Sequence, residues 1–103
     1  MATLRFSRRA EADLLEIAGY TLSIWGEAQA DHYIREMESG CQRLAKHPDL
    51  GRPYDEIRPG LRRIEHGKHV VFYRHNATGI LVCRILHQRM LPGRRTIETD
   101  EEP

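Results

Sequence analysis

Leu61-Arg62-Arg63-Ile64-Glu65-His66-Gly67-Lys68-His69-Val70-Val71-Phe72-Tyr73-Arg74-His75 is the stretch on which the fold turns. Two strand-like runs, Leu61–His66 and His69–His75, flank Gly67-Lys68, a two-residue hairpin signal. A turn at Asn76-Ala77-Thr78 leads into Gly79–His87, the longest strand candidate. Three strands joined by short turns form an antiparallel meander.

Upstream the periodicity changes from two to 3.6. Ala2 to Phe6 is a short strand candidate and Ser7 a helix N-cap. Ala10, Leu14, Ile17, Ala18, Thr21, Ile24 and Trp25 then fall on one helical face. Gly26 stops that helix, and so short a turn folds the next one back as an antiparallel hairpin. The second helix runs from about Glu27 to Lys46, with Ala30, Ile34, Met37, Cys41, Leu44 and Ala45 on its stripe. It ends at His47-Pro48, because the residue before proline leaves the α region. Pro48 to Gly60, with Pro53, Pro59 and Gly51, reads as a loop. The class is α+β, in the order β-α-α-β-β-β: a helical hairpin packed on one face of a mainly antiparallel sheet. Leu14, Ile17, Ile34, Met37 and Leu44 are the expected core, and the other sheet face is expected to be partly open and lined by arginines. Leu15 and Leu22, seven apart, form a second apolar row on the flank of the first helix. Such a row is either the edge of a wide core face or a partner-binding surface.

Charge divides the chain. Residues 1–57 hold 7 Lys/Arg against 10 Asp/Glu, whereas residues 58–95 hold 9 basic residues (Arg58, Arg62, Arg63, Lys68, Arg74, Arg84, Arg89, Arg94 and Arg95) against Glu65 alone. The last eight residues add four acids and restore the formal +1. The near-neutral total hides one half suited to an anionic partner. Residues 1–95 read as one domain and residues 96–103 as an acidic, disordered tail. Arg outnumbers Lys 14 to 2, which suits bidentate contacts to carboxylate or phosphate.

Several classes are excluded. No apolar run approaches the ~20 residues of a membrane span, and Ser7-Arg8-Arg9 interrupts any signal-peptide core, so a cytoplasmic protein is expected. Cys41 lies on a helical stripe and Cys83 in a strand run, which favours buried thiols over a bridge. Six histidines fall at no zinc spacing, and no metal or other cofactor is expected. Gly-x-Ser-x-Gly is absent, and Ser7, Ser23 and Ser39 lie in the helical region. RNA cleavage through the 2′-hydroxyl stays open. Arg62, Arg63, Arg84, His87 and Arg89 carry the cations and the acid or base it needs, with Glu56 as a second base. The favoured reading has the arginines position a partner while His87 ends a strand.

In order, Phe6-Ser7 with Ala10 and Asp13-Leu14, Trp25-Gly26, Leu44-Ala45, His47-Pro48, Leu50-Gly51-Arg52, Gly60-Leu61-Arg62, His69-Val70-Val71-Phe72-Tyr73 and Arg84-Ile85-Leu86-His87-Gln88-Arg89-Met90 resemble the ParE branch of the RelE/ParE toxin superfamily. The resemblance runs from about residue 4 to residue 95 and implies the same β-α-α-β-β-β fold. It implies a toxin that binds and poisons DNA gyrase and is neutralised by a ParD-like ribbon-helix-helix antitoxin, meeting operator DNA only through that antitoxin. Arg84, His87, Arg89, Met90, Arg94 and Arg95 would meet the target. Leu15, Leu22, Arg62, Arg63 and Arg74 would meet the antitoxin. RelE-like members cut messenger RNA on the ribosome, and Arg63, His87 and Arg89 would be the catalytic set of such an enzyme. This chain departs from that pattern: Gln88, not a tyrosine, follows His87, and lysine is nearly absent from the basic block. It also departs from a common ParE ending, with Leu91-Pro92 where an Asp follows the Met. A non-catalytic gyrase inhibitor is the expected function; a ribosome-dependent endonuclease and a non-toxic antitoxin-binding module are the alternatives.

Overall fold

The computed structural model describes residues 2–90. Strand β1 (Thr3–Phe6) leads into helices α1 (Arg8–Trp25) and α2 (Glu27–Lys46), a 3-10 turn at Pro48–Leu50, and strands β2 (Arg52–Pro53), β3 (Leu61–His66), β4 (His69–His75) and β5 (Gly79–His87). The sheet order is β1-β5-β4-β3-β2. The β1–β5 pair is parallel and the others are antiparallel. The expected class is therefore observed, and the expected β-α-α-β-β-β order with one added strand, β2.

Each helix boundary has a physical cause. Ser7 Oγ accepts from Ala10 N at 3.0 Å as the N-cap of α1 and also donates to Cys83 O at 2.8 Å, tying the helix start to β5. Gly26 sits at φ +92°, a conformation that glycine adopts without the Cβ clash of other residues. Its N–H bonds Leu22 O while its carbonyl accepts from Ala30 N, so one residue closes α1 and opens α2.

The helices cover one face of the sheet. Ile17, Met37, Cys41 and Leu44 pack there with Val71, Tyr73, Ile80, Val82 and Ile85. Leu14 and Ile34, expected in the core, are half-buried at its edge. Ile24 and Trp25, placed on the core stripe by periodicity, are 54% and 66% exposed. Asp13 meets β5 at Ile85, and only two strand residues remain beyond that point. From there α1 advances roughly 18 Å at 1.5 Å per residue, whereas β5 advances roughly 7 Å. The last turn of α1 overhangs the strand.

Two further expectations need correction. The segment from Pro48 to Gly60 is not all loop, because Arg52 and Pro53 pair with Arg63 and Arg62 as an edge strand. What organises it is distant in sequence: buried Tyr73 donates its hydroxyl to Pro48 O at 2.6 Å and accepts from Gly51 N at 2.9 Å. The second sheet face is not open either. Leu61, Val70, Phe72, Leu81, Cys83 and Leu86 form a second buried cluster, with Tyr54 and Ile57 packed against it. β5 is thus covered on both faces and flanked on both sides, which explains its continuous apolar run. Both cysteines are buried, one in each cluster, and burial followed by the nearby Glu38 pushes the Cys41 thiol up to about 12. No helix among the described residues is long and apolar enough to cross a membrane.

One polar contact crosses the main core. Asp13 and Arg84 side chains are 9% and 10% exposed. Arg84 Nε and Nη2 donate to the Asp13 carboxylate at 2.8 and 3.0 Å, and Ile85 N donates to the same carboxylate at 2.9 Å. The β4–β5 register slips between Phe72 and Tyr73, whose partners are Arg84 and Val82. Cys83 is the extra residue of this bulge, and the bulge turns Arg84 toward α1.

Leu44→Ala should cost about 2–5 kcal/mol in urea unfolding, since Leu44 is 2% exposed. Asp13→Ala should cost about 3–5 kcal/mol by leaving the Arg84 charge buried without its carboxylate. A loss below about 0.5 kcal/mol at either site would contradict the assigned burial.

Candidate functional site

The overhang of α1 creates a groove of about 610 Å3. Tyr20, Ile24 and Trp25 form its α1 wall, Gln29 and Tyr33 come from α2, and Lys68, His69 and His87 come from the sheet end. Met90 stands at its edge, and Asp13 and Arg84 lie at its base. Tyr20, Trp25 and Met90 are 66%, 66% and 53% exposed, so large apolar groups face solvent around one concavity.

A cross-strand histidine row forms the polar wall. His66 pairs with His69 across the β3–β4 hairpin, and His69 pairs with His87 across β4–β5. The His69 and His87 rings meet edge-on at 5.4 Å between centroids. Tyr33 lies against this row, with its ring 5.6 Å from both His66 and His69. Its hydroxyl is 2.7 Å from His69 Nδ1, accepts from Lys68 N at 3.1 Å and lies 3.3 Å from His66 O. Gly67, at φ +58°, is required at this turn twice over: the backbone is left-handed, and a Cβ would strike the Tyr33 ring and hydroxyl at 2.6–3.1 Å.

The segment after β5 is a fixed turn as far as Met90. Gln88 N donates to Lys68 O and Met90 N to His87 O, both at 2.8 Å, and Arg89 N donates to His87 Nδ1 at 3.1 Å. Arg89 and Met90 are exposed on that turn.

The expected site residues separate into groups. His87 and Met90 line the groove, with Arg89 between them in sequence. Arg84 corrects the expectation of a surface contact: it is 8% exposed and bound to Asp13, so it supports the site from beneath. Arg94 and Arg95 lie outside the described residues, as does the 96–103 tail. Leu15 and Leu22 are 75% and 51% exposed, which removes the core-face alternative, but neither lines the groove. Arg62 is turned to Gly51 O, bonded through Nε and Nη2 at 3.1 and 2.8 Å. Arg63 lies on the opposite sheet face, its guanidinium 5.0 Å over the Tyr54 ring and 5.8 Å over Phe72. Arg74 shares that face, paired with Leu61 and Leu81 of the second cluster. The catalytic set of an endonuclease is therefore split, with Arg63 on one face and His87 on the other. Sequence reading missed Tyr20, Tyr33 and His69. For Tyr33 the only local signal is an aromatic residue beside the helix stripe, and its histidine contacts are more than thirty residues away. No group of metal-ligating side chains occurs among the described residues.

His66 and His69 are both held below the ordinary imidazole value of 6.5. For His66 the main cause is burial, with Glu36 opposing and Arg43 adding to it. For His69 it is burial, then the charges of His87 and His66, opposed by Asp13. Burial raises the Tyr33 hydroxyl, partly offset by the Lys68 N–H. The unfolded chain therefore binds more protons just below 6.5, and the stabilisation is complete above that value and lost as pH falls through it. Urea midpoints at about pH 7.5 and about pH 5 should differ accordingly, and His69→Gln should reduce the difference. An unchanged difference would remove His69 from the acid sensitivity.

Residues 4–92 match the family model described as the ParE toxin of the type II toxin–antitoxin system, parDE. Toxin ParE1 of Caulobacter vibrioides is 43% identical over 90 residues, covering 87% of this chain and 93% of the relative. Toxin ParE1 of Mycobacterium tuberculosis is 46% identical over 85 residues, covering 82% and 87%. Among solved structures, the chromosomal ParDE system from P. aeruginosa superposes with a TM-score of 0.71 at 24% identity, over 84% of this chain and 96% of that one. The RelBE2 toxin–antitoxin complex from M. tuberculosis superposes with a TM-score of 0.61 at 20% identity, over the same shares. These two likenesses share the fold of two helices on a five-stranded sheet, and the sequence match extends to the His87–Met90 turn that edges the groove. The chain belongs to the ParE toxin family of type II toxin–antitoxin systems.

Proposed function

We propose that the chain is a non-catalytic toxin that poisons DNA gyrase and is neutralised by a ParD-like ribbon-helix-helix antitoxin. Gyrase works through a cleaved, covalently held DNA intermediate. An inhibitor that stabilises this intermediate makes breaks without any bond-making chemistry of its own; it needs a rigid edge carrying a contact segment. The observation that carries the reading is the turn His87–Met90. It is tied to the hairpin by Gln88 N donating to Lys68 O and closed by Met90 N donating to His87 O, while presenting Arg89 and an apolar anchor, Met90, at 53% exposure. Family membership and the division of Arg63 from His87 support the same reading. The antitoxin, in this account, folds a segment onto α1 and lays apolar side chains on the exposed Leu15/Leu22 row.

One observation favours the RNA-cleaving alternative. Tyr33 places a hydroxyl at the His69–His87 pair, so the aromatic group missing after His87 arrives from α2. Against it, that hydroxyl is already occupied by His69, Lys68 N and His66 O.

Induction in bacteria with separate readouts for DNA damage and translation tests the choice. The unaltered chain should raise the DNA-damage response first, with no new breaks within codons of translated messages by primer extension. Codon-internal cuts that vanish in His87→Ala would establish the endonuclease. Changing Arg89 and Met90 together to Ala should abolish growth arrest while antitoxin binding persists; full toxicity would remove this turn from the target contact. Leu15→Glu with Leu22→Glu should keep the fold and weaken the antitoxin complex at least about tenfold by placing charge in an apolar contact. Unchanged affinity in calorimetry would remove that row from the interface.

A further inference from the structure

Two turns of this chain are held by a side-chain acceptor that reaches the backbone N–H two residues on. At the β4–β5 connection Asn76 Oδ1 accepts from Thr78 N at 3.0 Å and from Gly79 N at 2.8 Å. After β5 the same place is filled by His87. Its Nδ1 accepts from Arg89 N at 3.1 Å, inside the turn that Met90 N closes by donating to His87 O. The two acceptors differ in chemistry. An amide oxygen accepts at any pH, whereas Nδ1 accepts only while the imidazole is neutral and carries its proton on Nε2. In the imidazolium Nδ1 also bears a hydrogen, and two N–H groups then point at each other. What hangs on this bond is a charge. Arg89 is exposed, and among the described residues no side-chain hydrogen bond or ion pair holds its guanidinium, so the backbone of the turn sets where that charge is presented.

We propose that His87 is a positioning residue for the contact turn: neutral, it fixes Arg89 through Nδ1, and protonated, it releases Arg89, so the target contact weakens in acid. That the target is gyrase rests on the reading above; the hold on Arg89 does not. The charged and titratable groups that share the groove with the His87 ring come from every side. Glu16 and Tyr20 stand on α1, Tyr33 on α2, and Lys68 and His69 on the β3–β4 hairpin, with the Asp13–Arg84 pair beneath. A proton on His87 adds positive charge beside Lys68 and beside the His69 ring, 5.4 Å away, while Glu16 has the opposite sign. The loss of the acceptor, not the sum of these charges, opens the bond. The bond to Arg89 is therefore present above the imidazole titration and lost as pH falls through it, between about pH 8 and pH 5. Gln88 N and Met90 N keep their carbonyl acceptors in both states, which confines the release to Arg89.

The test uses the full chain and follows the Arg89 amide by NMR from about pH 8 to pH 5. Its resonance should shift, and its exchange with water quicken, along the same curve as the His87 ring signals. In His87→Asn, which puts an amide oxygen where Nδ1 stood, the Arg89 amide should stay protected throughout, as Thr78 does beside Asn76. An Arg89 amide that stays still while His87 titrates, or that still titrates in His87→Asn, would overturn the positioning role. Binding to purified gyrase separates this role from direct contact. At about pH 7.5 His87→Gln, which reproduces Nε2 but not Nδ1, should weaken binding at least about threefold, while His87→Asn rescues it and removes the acid sensitivity. The reverse order, with Gln tolerated and Asn impaired, would show that His87 meets the target itself and would overturn the proposal. An unaltered, folded chain that leaves gyrase unbound sinks the gyrase reading alone, and the NMR titration then decides the hold on Arg89 by itself.

Discussion

The Asp13 carboxylate fixes the body of α1 against β5 by geometry rather than by area, as the Ser7 hydroxyl does at the helix start. It receives three hydrogen bonds at once, two from Arg84 and one from Ile85 N, inside an otherwise apolar layer. Apolar packing is non-directional and would let a helix slide along a sheet. A bidentate guanidinium contact with a backbone N–H on the same acceptor permits one axial position. The bulge at Cys83 is part of this device, because a regular β5 would not present both Arg84 and Ile85 to the helix side. Burying such a pair adds little net stability, but breaking it is expensive, which makes it a determinant of position more than of strength.

Position is what the site needs. With Asp13 held at Ile85, α1 must run past the end of β5, and the overhang exposes Tyr20, Ile24 and Trp25 beside His87 and Met90. Tyr33 closes the other side by clasping the hairpin through His69 and Lys68 N. The groove and the turn after β5 are therefore one consequence of where α1 is pinned. The groove and turn lie at one end on the helix side, while Arg63 and Arg74 lie on the opposite sheet face.

Much of the fold could be read locally. Ser7, Gly26 and His47-Pro48 mark helix ends through their own backbone chemistry, and Gly67-Lys68 and Asn76 mark turns. The misses share one cause, contacts distant in sequence. Tyr73 organises Pro48 to Gly51 from more than twenty residues away, so proline and glycine content alone could not reveal an edge strand. Ile24 and Trp25 follow the helical period faithfully; whether a strand lies beneath them is a matter of element length. Asp13 was legible in principle, since an acid spaced three from Ala10 and four from Ile17 sits on the apolar stripe and demands a buried cation. Arg84, inside an apolar strand run, is the matching oddity, and its charge alone had suggested a surface role. The site was legible only where it follows the last strand in sequence, at His87, Arg89 and Met90.

The central proposal is that a rigid turn carried at the end of β5 acts on gyrase without chemistry of its own. Purified gyrase, supercoiled plasmid and the folded chain test it directly when supercoiling and cleaved DNA are followed together. The account predicts that cleaved complexes accumulate and supercoiling falls with the unaltered chain, while the chain altered at both Arg89 and Met90 leaves gyrase as it was. Undisturbed supercoiling and no cleaved DNA in the presence of the unaltered, folded chain would contradict it.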